Sequence, residues 1–279
     1  MPSLPSRSAA LTIGSFDLAL RERNDCDLSD LAFIDAYGLV GTACAVRAPR
    51  SRGEQVAIQL PSRSNMRGHL AAMGFADFLA ETGAAETLPT DHAVDASSVV
   101  VPLRSAADSG GEQALSHLLW DQLRAHVDPQ VLQAIAEGVW EMVGNALEHS
   151  GSDALVMAQV YWASRGGRPP DHSDRVQVVI GDVGQGIRSS FLATGVRNPT
   201  DDLEAVNLAL EYLVTSVADD PGRGQGLFTT MEQVTGLNGR MIVRSGAGKV
   251  SVTSERKREE TVPHIDGVLV ALDVPLYPA

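Results

Sequence analysis

Three short stretches of this chain carry side chains whose types and spacing could do chemistry. In E-M-V-G-N-A-L-E-H, Glu141, Asn145 and His149 stand four residues apart, so on a helix they project from one face. Taken alone, that line reads first as a solvated helix face, and two downstream stretches change the balance. In G-D-V-G-Q-G, Asp182 ends an apolar run and precedes Gly184 and Gly186. A buried carboxylate can accept the exocyclic amine of adenine, and glycines let the backbone approach a flat base without a Cβ in the way. In G-R-G-Q-G-L-F, Gly222, Gly224 and Gly226 alternate just before a helix candidate that opens at Leu227. Such glycines free backbone N–H groups to form an anion nest, and the helix start adds its positive end, which suits a triphosphate.

Those residues need elements to hold them. Leu132, Ile135, Val139, Met142 and Ala146 recur at three- and four-residue steps, which predicts an amphipathic helix through Val131–Gly151, started by Asp128-Pro129. Arg175–Ile180 is strand-like and runs straight into Asp182. Ala114–His126 and Leu227–Leu237 read as further helices. The glycine spacing G-x-x-G-x-G is not that of a dinucleotide fold, no P-loop pattern occurs, and the protein-kinase motif set is missing.

Upstream, Leu11–Leu20 with a turn at Gly14, Asp25–Asp35 and Val56–Leu60 read as strands, and Ala36–Arg47 and Asn65–Ala80 as helices. Strand, helix, strand, helix is the signature of a small α/β domain. A polar, turn-rich stretch follows, in which Val99–Leu103 could pair as an edge strand. The charge cluster at Glu255–Thr261 reads as a solvated loop or hairpin tip.

A length of 279 residues suits two modest domains. The net charge of −13 without a basic run excludes a nucleic-acid surface, and no apolar run reaches membrane-spanning length. Cys26 and Cys44 are far apart and in no metal-ligand spacing. With no signal-peptide pattern at the N-terminus, the expectation is a cytoplasmic protein with reduced thiols.

Two resemblances sharpen this reading. F-I-D-A-Y-G-L-V, V-A-I-Q-L-P and H-L-A-A-M-G-F resemble a STAS domain, the fold of bacterial anti-sigma-factor antagonists, over roughly residues 11–85, within a domain of residues 1–85. In that family a Ser or Thr after the Asp accepts phosphate; here Ala36 and Tyr37 follow Asp35, which implies a docking module without the phospho-switch. After a linker at residues 86–111, Asn145, D-x-G-x-G and G-x-G-x-G-L follow the order of three boxes of the GHKL (Bergerat-fold) ATPases. E-x-x-x-N-A-x-x-H is most similar to the branch of anti-sigma-factor serine kinases. The resemblance covers residues 112–279 and implies an α/β sandwich, a mixed sheet covered on one face by helices.

Carried over, Asn145 would hold Mg²⁺ bridged to the phosphates of ATP, and Asp182 would bind adenine between Gly184 and Gly186. Gly222, Gly224 and Gly226, with Arg223 and Leu227, would cradle phosphates, and Glu141 would be the general base. His149 stays open between a phosphate-side contact and a structural histidine. Residues 187–221 would form a mobile lid, with Arg188, Arg197 and Arg223 as the unranked cations. The threonine that many members carry after a glycine in the last strand is Val268 here, after Gly267. None of His69, His92, His117 or His126 opens a dimerisation hairpin, so a sensor histidine kinase does not fit. The expected function is an Mg-ATP-dependent regulator, a protein serine/threonine kinase or slow ATPase acting on a protein partner. The alternative is a non-catalytic ATP-binding module whose lid and partner affinity respond to nucleotide. A homodimer is left open.

Overall fold

The computed structural model describes residues 10–17, 19, 26–84, 87–88, 98–162, 174–211 and 226–278. Its centre is a five-stranded sheet of β5 (Val99–Ala106), β6 (Ala154–Tyr161), β7 (Arg175–Gly181), β8 (Arg240–Thr253) and β9 (Lys257–Pro275), in the order β5-β6-β7-β9-β8. Every pairing in it is antiparallel, so the expected mixed sheet is corrected. Consecutive β5–β6, β6–β7 and β8–β9 are neighbours, and β9 inserts beside β7. The Glu255–Thr261 cluster falls at the β8–β9 turn and the start of β9.

One face of this sheet carries helices α4 (Ser109–Leu123), α5 (Pro129–Asn145) and α8 (Gly226–Gly236). Leu119, Ile135, Val139 and Val234 pack there on Val156, Val178, Ile180 and Leu272. The opposite face is not open. Leu155, Met157, Val179, Ile242, Leu269 and Ala271 point to it and join one core with Leu39, Val40 and Ala43 of α1 (Ala36–Ser51). Covering on one face is therefore corrected to covering on both. The physical reason lies in the strands themselves: β6, β7 and the second half of β9, from Gly267 to Val274, read as nearly continuous apolar runs, which both sides of a sheet must bury.

The residues on either side of α1 form two parallel two-residue pairs, β1 (Ala10–Leu11) with β3 (Phe33–Ile34) and β2 (Cys26–Asp27) with β4 (Ile58–Gln59). The helix expected over Asn65–Ala80 is two helices, α2 (Ser64–Ala72) and α3 (Phe75–Glu81). Gly74 breaks it, with φ +86°, and a Cβ there would meet the backbone of Leu103 in β5. Edge strand β5 itself lies within the stretch read as a linker.

Hydrogen bonds fix α1 to the sheet. The first N–H groups of a helix lack helical partners, and here the sheet's side chains accept them. Ala36 N donates to the Tyr161 hydroxyl (3.1 Å) and Tyr37 N to Gln177 Oε1 (3.0 Å). Asp35 caps the helix, accepting from Gly38 N (2.7 Å) and Ile13 N (2.9 Å). The turn at Asp35, Ala36 and Tyr37 is thus buried against this chain's own sheet.

Burial pushes the Asp35 carboxyl up to about 7, against the opposing pull of the Gly38 and Ile13 N–H groups. The unfolded chain ionises near 3.8, so the native state is penalised progressively as pH rises from there to about 7. The Asp35→Asn variant keeps a cap but cannot accept from Ile13 N, and carries no such titration. Wild type should be the more stable at pH 5, and its advantage should shrink by about 2 kcal/mol by pH 8. Denaturant unfolding of both proteins at the two pH values measures this.

Candidate functional site

Helix α5 is the floor of the site. Its apolar stripe is buried, and its other side borders an open cavity of about 1260 Å³, larger than the roughly 300–1,000 Å³ of most small-ligand pockets. Glu141 and Asn145, one turn apart, both line this cavity. After Asn145 the helix widens into a π-helical turn, Ala146–Ser150, that ends at Gly151 with φ +68°. The four-residue line predicted through His149 therefore holds only from Glu141 to Asn145. His149 lies in the widened turn, and its side chain is outside the described residues.

Strand β7 delivers Asp182 to the inner end of the cavity. Its carboxyl is 6% exposed and accepts from Gly184 N at 2.8 Å. Burial raises it to about 6, opposed by the N–H groups of Gly184 and Val268. Gly186 lines the same cavity and opens α6 (Gly186–Thr194) with φ +75°. Gly184 does not line it; a Cβ there would collide with the backbone of Ser150, so this glycine closes the joint between the π turn and β7.

Helix α8 completes the wall. Gly226, Leu227 and Thr230 line the cavity. A Cβ at Gly138 would meet Thr230 Cγ2 at 2.7 Å, and one at Gly226 would strike the Glu141 carboxylate. Small residues thus let α8 sit directly on α5 and bring its first residue against Glu141. Gly222, Arg223 and Gly224 lie outside the described residues.

Residues 212–221 of the expected lid lie outside the described residues, which leaves residues 187–211. They form α6 and α7 (Asp202–Ala209), and Asp202 Oδ2 accepts from Ala247 N of β8 at 2.8 Å. Arg188 donates to the carbonyls of Pro199 (3.3 Å) and Thr200 (2.8 Å), so it shapes the connection between these helices. Neither Arg188 nor Arg197 lines the cavity.

Several lining or supporting residues escaped the sequence reading. Glu112 and Trp120 of α4 and Trp140 of α5 line the cavity. Glu112 is 8% exposed, with its carboxyl raised by burial and then by Glu148. The signal was the four-residue spacing Glu112, Ser116, Trp120, which a helix begun at Ala114 cuts off. Ser245 is the hydroxyl near Gly267: it accepts from Ile187 N and donates to the Gly267 carbonyl, each at 2.9 Å. A lone serine in a strand gives no sequence signal.

Among the described residues the lining includes Asp108, Glu112, Glu137, Glu141, Glu148 and Asp182 but no lysine or arginine. No described group of three or more His, Cys, Asp or Glu could hold a metal ion, and no described helix is long and apolar enough to cross a membrane. Comparison with family models and with curated proteins returns no match to this chain.

The two glycines separate stability from function. Gly184→Ala forces backbone against backbone and should cost on the order of 3 kcal/mol or more. Gly226→Ala meets only the movable end of Glu141, so its stability should stay within about 1 kcal/mol of wild type while the carboxylate is displaced. Thermal unfolding of both variants checks the contrast.

Proposed function

We propose that this cavity binds an adenine nucleotide with Mg²⁺, and that the chain is a protein serine/threonine kinase or slow ATPase of the GHKL type. One observation carries the reading. Three stretches remote in sequence, Glu141 with Asn145, Asp182 with Gly186, and Gly226 with Leu227, line a single cavity.

In this reading Asp182 accepts the adenine amine at the inner end, and the close approach of Gly186 leaves room for the ring. Asn145 makes no side-chain hydrogen bond among the described residues, so its amide oxygen is available to the metal. A single protein oxygen suits Mg²⁺, which keeps several waters and takes phosphate oxygens as its other ligands. The bound ion would neutralise phosphate charge, which an acidic wall cannot. Arg223, three residues before Gly226 in sequence, is the nearest candidate for a second cation. Glu141, exposed and one turn from Asn145, takes the proton from the attacking hydroxyl or water. The buried turn at Ala36 and Tyr37 offers no serine or threonine hydroxyl, which favours an acceptor on another protein.

ATP should raise apparent stability by about 2.7 kcal/mol at a hundredfold excess over Kd, and GTP should not, because guanine presents a carbonyl to Asp182. The affinity for ATP should weaken as pH falls through about 6, where Asp182 takes up its proton, and Asp182→Asn should remove that dependence. Glu141→Ala should keep binding and abolish phosphate release or transfer. Calorimetry and a phosphate-release assay decide; equal shifts with ATP and GTP would end the adenine assignment. Binding without turnover by wild type would establish the non-catalytic alternative.

A further inference from the structure

The mouth of the cavity has a character that nucleotide binding does not require. Trp120 and Trp140 are 45% and 46% exposed, and both line it. Large aromatic surface left in water at a pocket rim marks an interaction site more often than a core defect. Their placement follows from the α4–α5 hairpin, joined through residues 124–128. A Cβ at Gly144 would meet Glu112 Oε1 at 3.6 Å, which sets the antiparallel register. One turn further along each helix come Ser116 and Trp140, and the next turn of α4 brings Trp120. The tryptophans therefore line a groove that leads from the side of the connection at residues 124–128 toward Glu112, Asn145 and Glu148 at the open end of the hairpin.

The groove is also acidic, with no lysine or arginine among its described lining residues. Glu137, Glu141 and Glu148 are exposed along α5 and the π turn. Glu137 accepts from Gln133 Nε2 (2.9 Å) and Gln233 Nε2 (2.6 Å), bonds that hold its carboxyl below the usual carboxylate range and keep it charged. Exposed carboxylates and two aromatic faces together fit guanidinium or ammonium groups, through charge-assisted hydrogen bonds and cation–π contact.

We propose that the Trp120–Trp140 groove docks a basic, serine- or threonine-bearing segment of a partner protein and leads its hydroxyl to Glu141. The docking stands on the groove alone; the fate of the hydroxyl rests on the nucleotide reading above. There, the bond from the terminal phosphorus of ATP to its bridging oxygen breaks as the bond to the segment's oxygen forms. ADP leaves, and the hydroxyl proton passes to Glu141. The choice of an extended segment over a small polycation follows from the run of the groove, which spans successive turns of two helices and ends beside the proposed base.

The test uses the full chain and a synthetic peptide of alternating arginine and serine, titrated by calorimetry with and without Mg-ATP. Binding should weaken markedly as salt rises. It should weaken about fivefold in Trp120→Ala or Trp140→Ala, and further in Glu137→Gln. Unchanged unfolding midpoints would show that these exposed positions leave the fold intact. The same peptide with glutamate for arginine should not bind. Absence of peptide binding, equal binding by all variants, or spermine binding as tightly as the peptide would overturn the docking proposal. Peptide bound but never labelled from ATP would refute the transfer step and leave the groove standing. ATP bound without peptide would refute the groove and leave the nucleotide reading standing.

Discussion

Burial of β7 on both faces is the constraint on which the remaining structure depends. Val176, Val178 and Ile180 look toward α5, while Gln177 and Val179 look toward α1. A strand in that position has no solvent side, so the sheet can exist as built only if something covers each face. The helices after residue 108 cover one, and the N-terminal region covers the other. Of its two buried polar residues, Arg175 pairs with Asp273 at 2.8 Å, and the position of Gln177 is explained by the Tyr37 N–H it accepts. A buried amide without that partner would be costly.

The same strand places the chemistry. It ends at Gly181, and Asp182 is the first residue beyond the pairing with β9. Desolvation by both packed faces accounts for the raised carboxyl, and the Gly184 N–H keeps an ionised form within reach of neutral pH. The cavity in front of it is acidic among its described lining residues. An anionic ligand there must arrive with its charge compensated, whereas a cationic one is welcome at the mouth.

Much of the site was legible because its signals are local. Helical periodicity located α5, Asp128-Pro129 located its start, and the glycines around Asp182 marked a tight joint after a strand. What escaped depends on residues far apart in sequence. Gly74 breaks a helix because β5 passes against it, and that approach cannot be read from the helix. Glu112 matters because Gly144 of another helix opens beside it. The π turn after Asn145 is local, yet helical spacing alone does not distinguish it from a continuing α-helix. Burial of the second sheet face was written in the apolar runs of β6, β7 and β9. It was missed because the STAS and GHKL resemblances each describe a self-contained unit.

That shared face has a mechanical side. A Cβ at Gly181 would meet Cys44 Sγ at 2.8 Å and Val40 Cγ1 at 2.9 Å, so α1 rests directly behind the residue before Asp182. The stretch that reads as an accessory module braces the sheet from the side opposite the cavity. A cut in the linker would strip the apolar underside of the sheet and remove the brace behind Asp182 at the same time. Asp17 ties the same two parts together at the far edge, pairing with Arg244 and, at 2.6 Å, with Lys249 of β8. Two segments that look separable along the chain are therefore one cooperative unit in folding, and homology-style trimming at residue 112 would yield half a core.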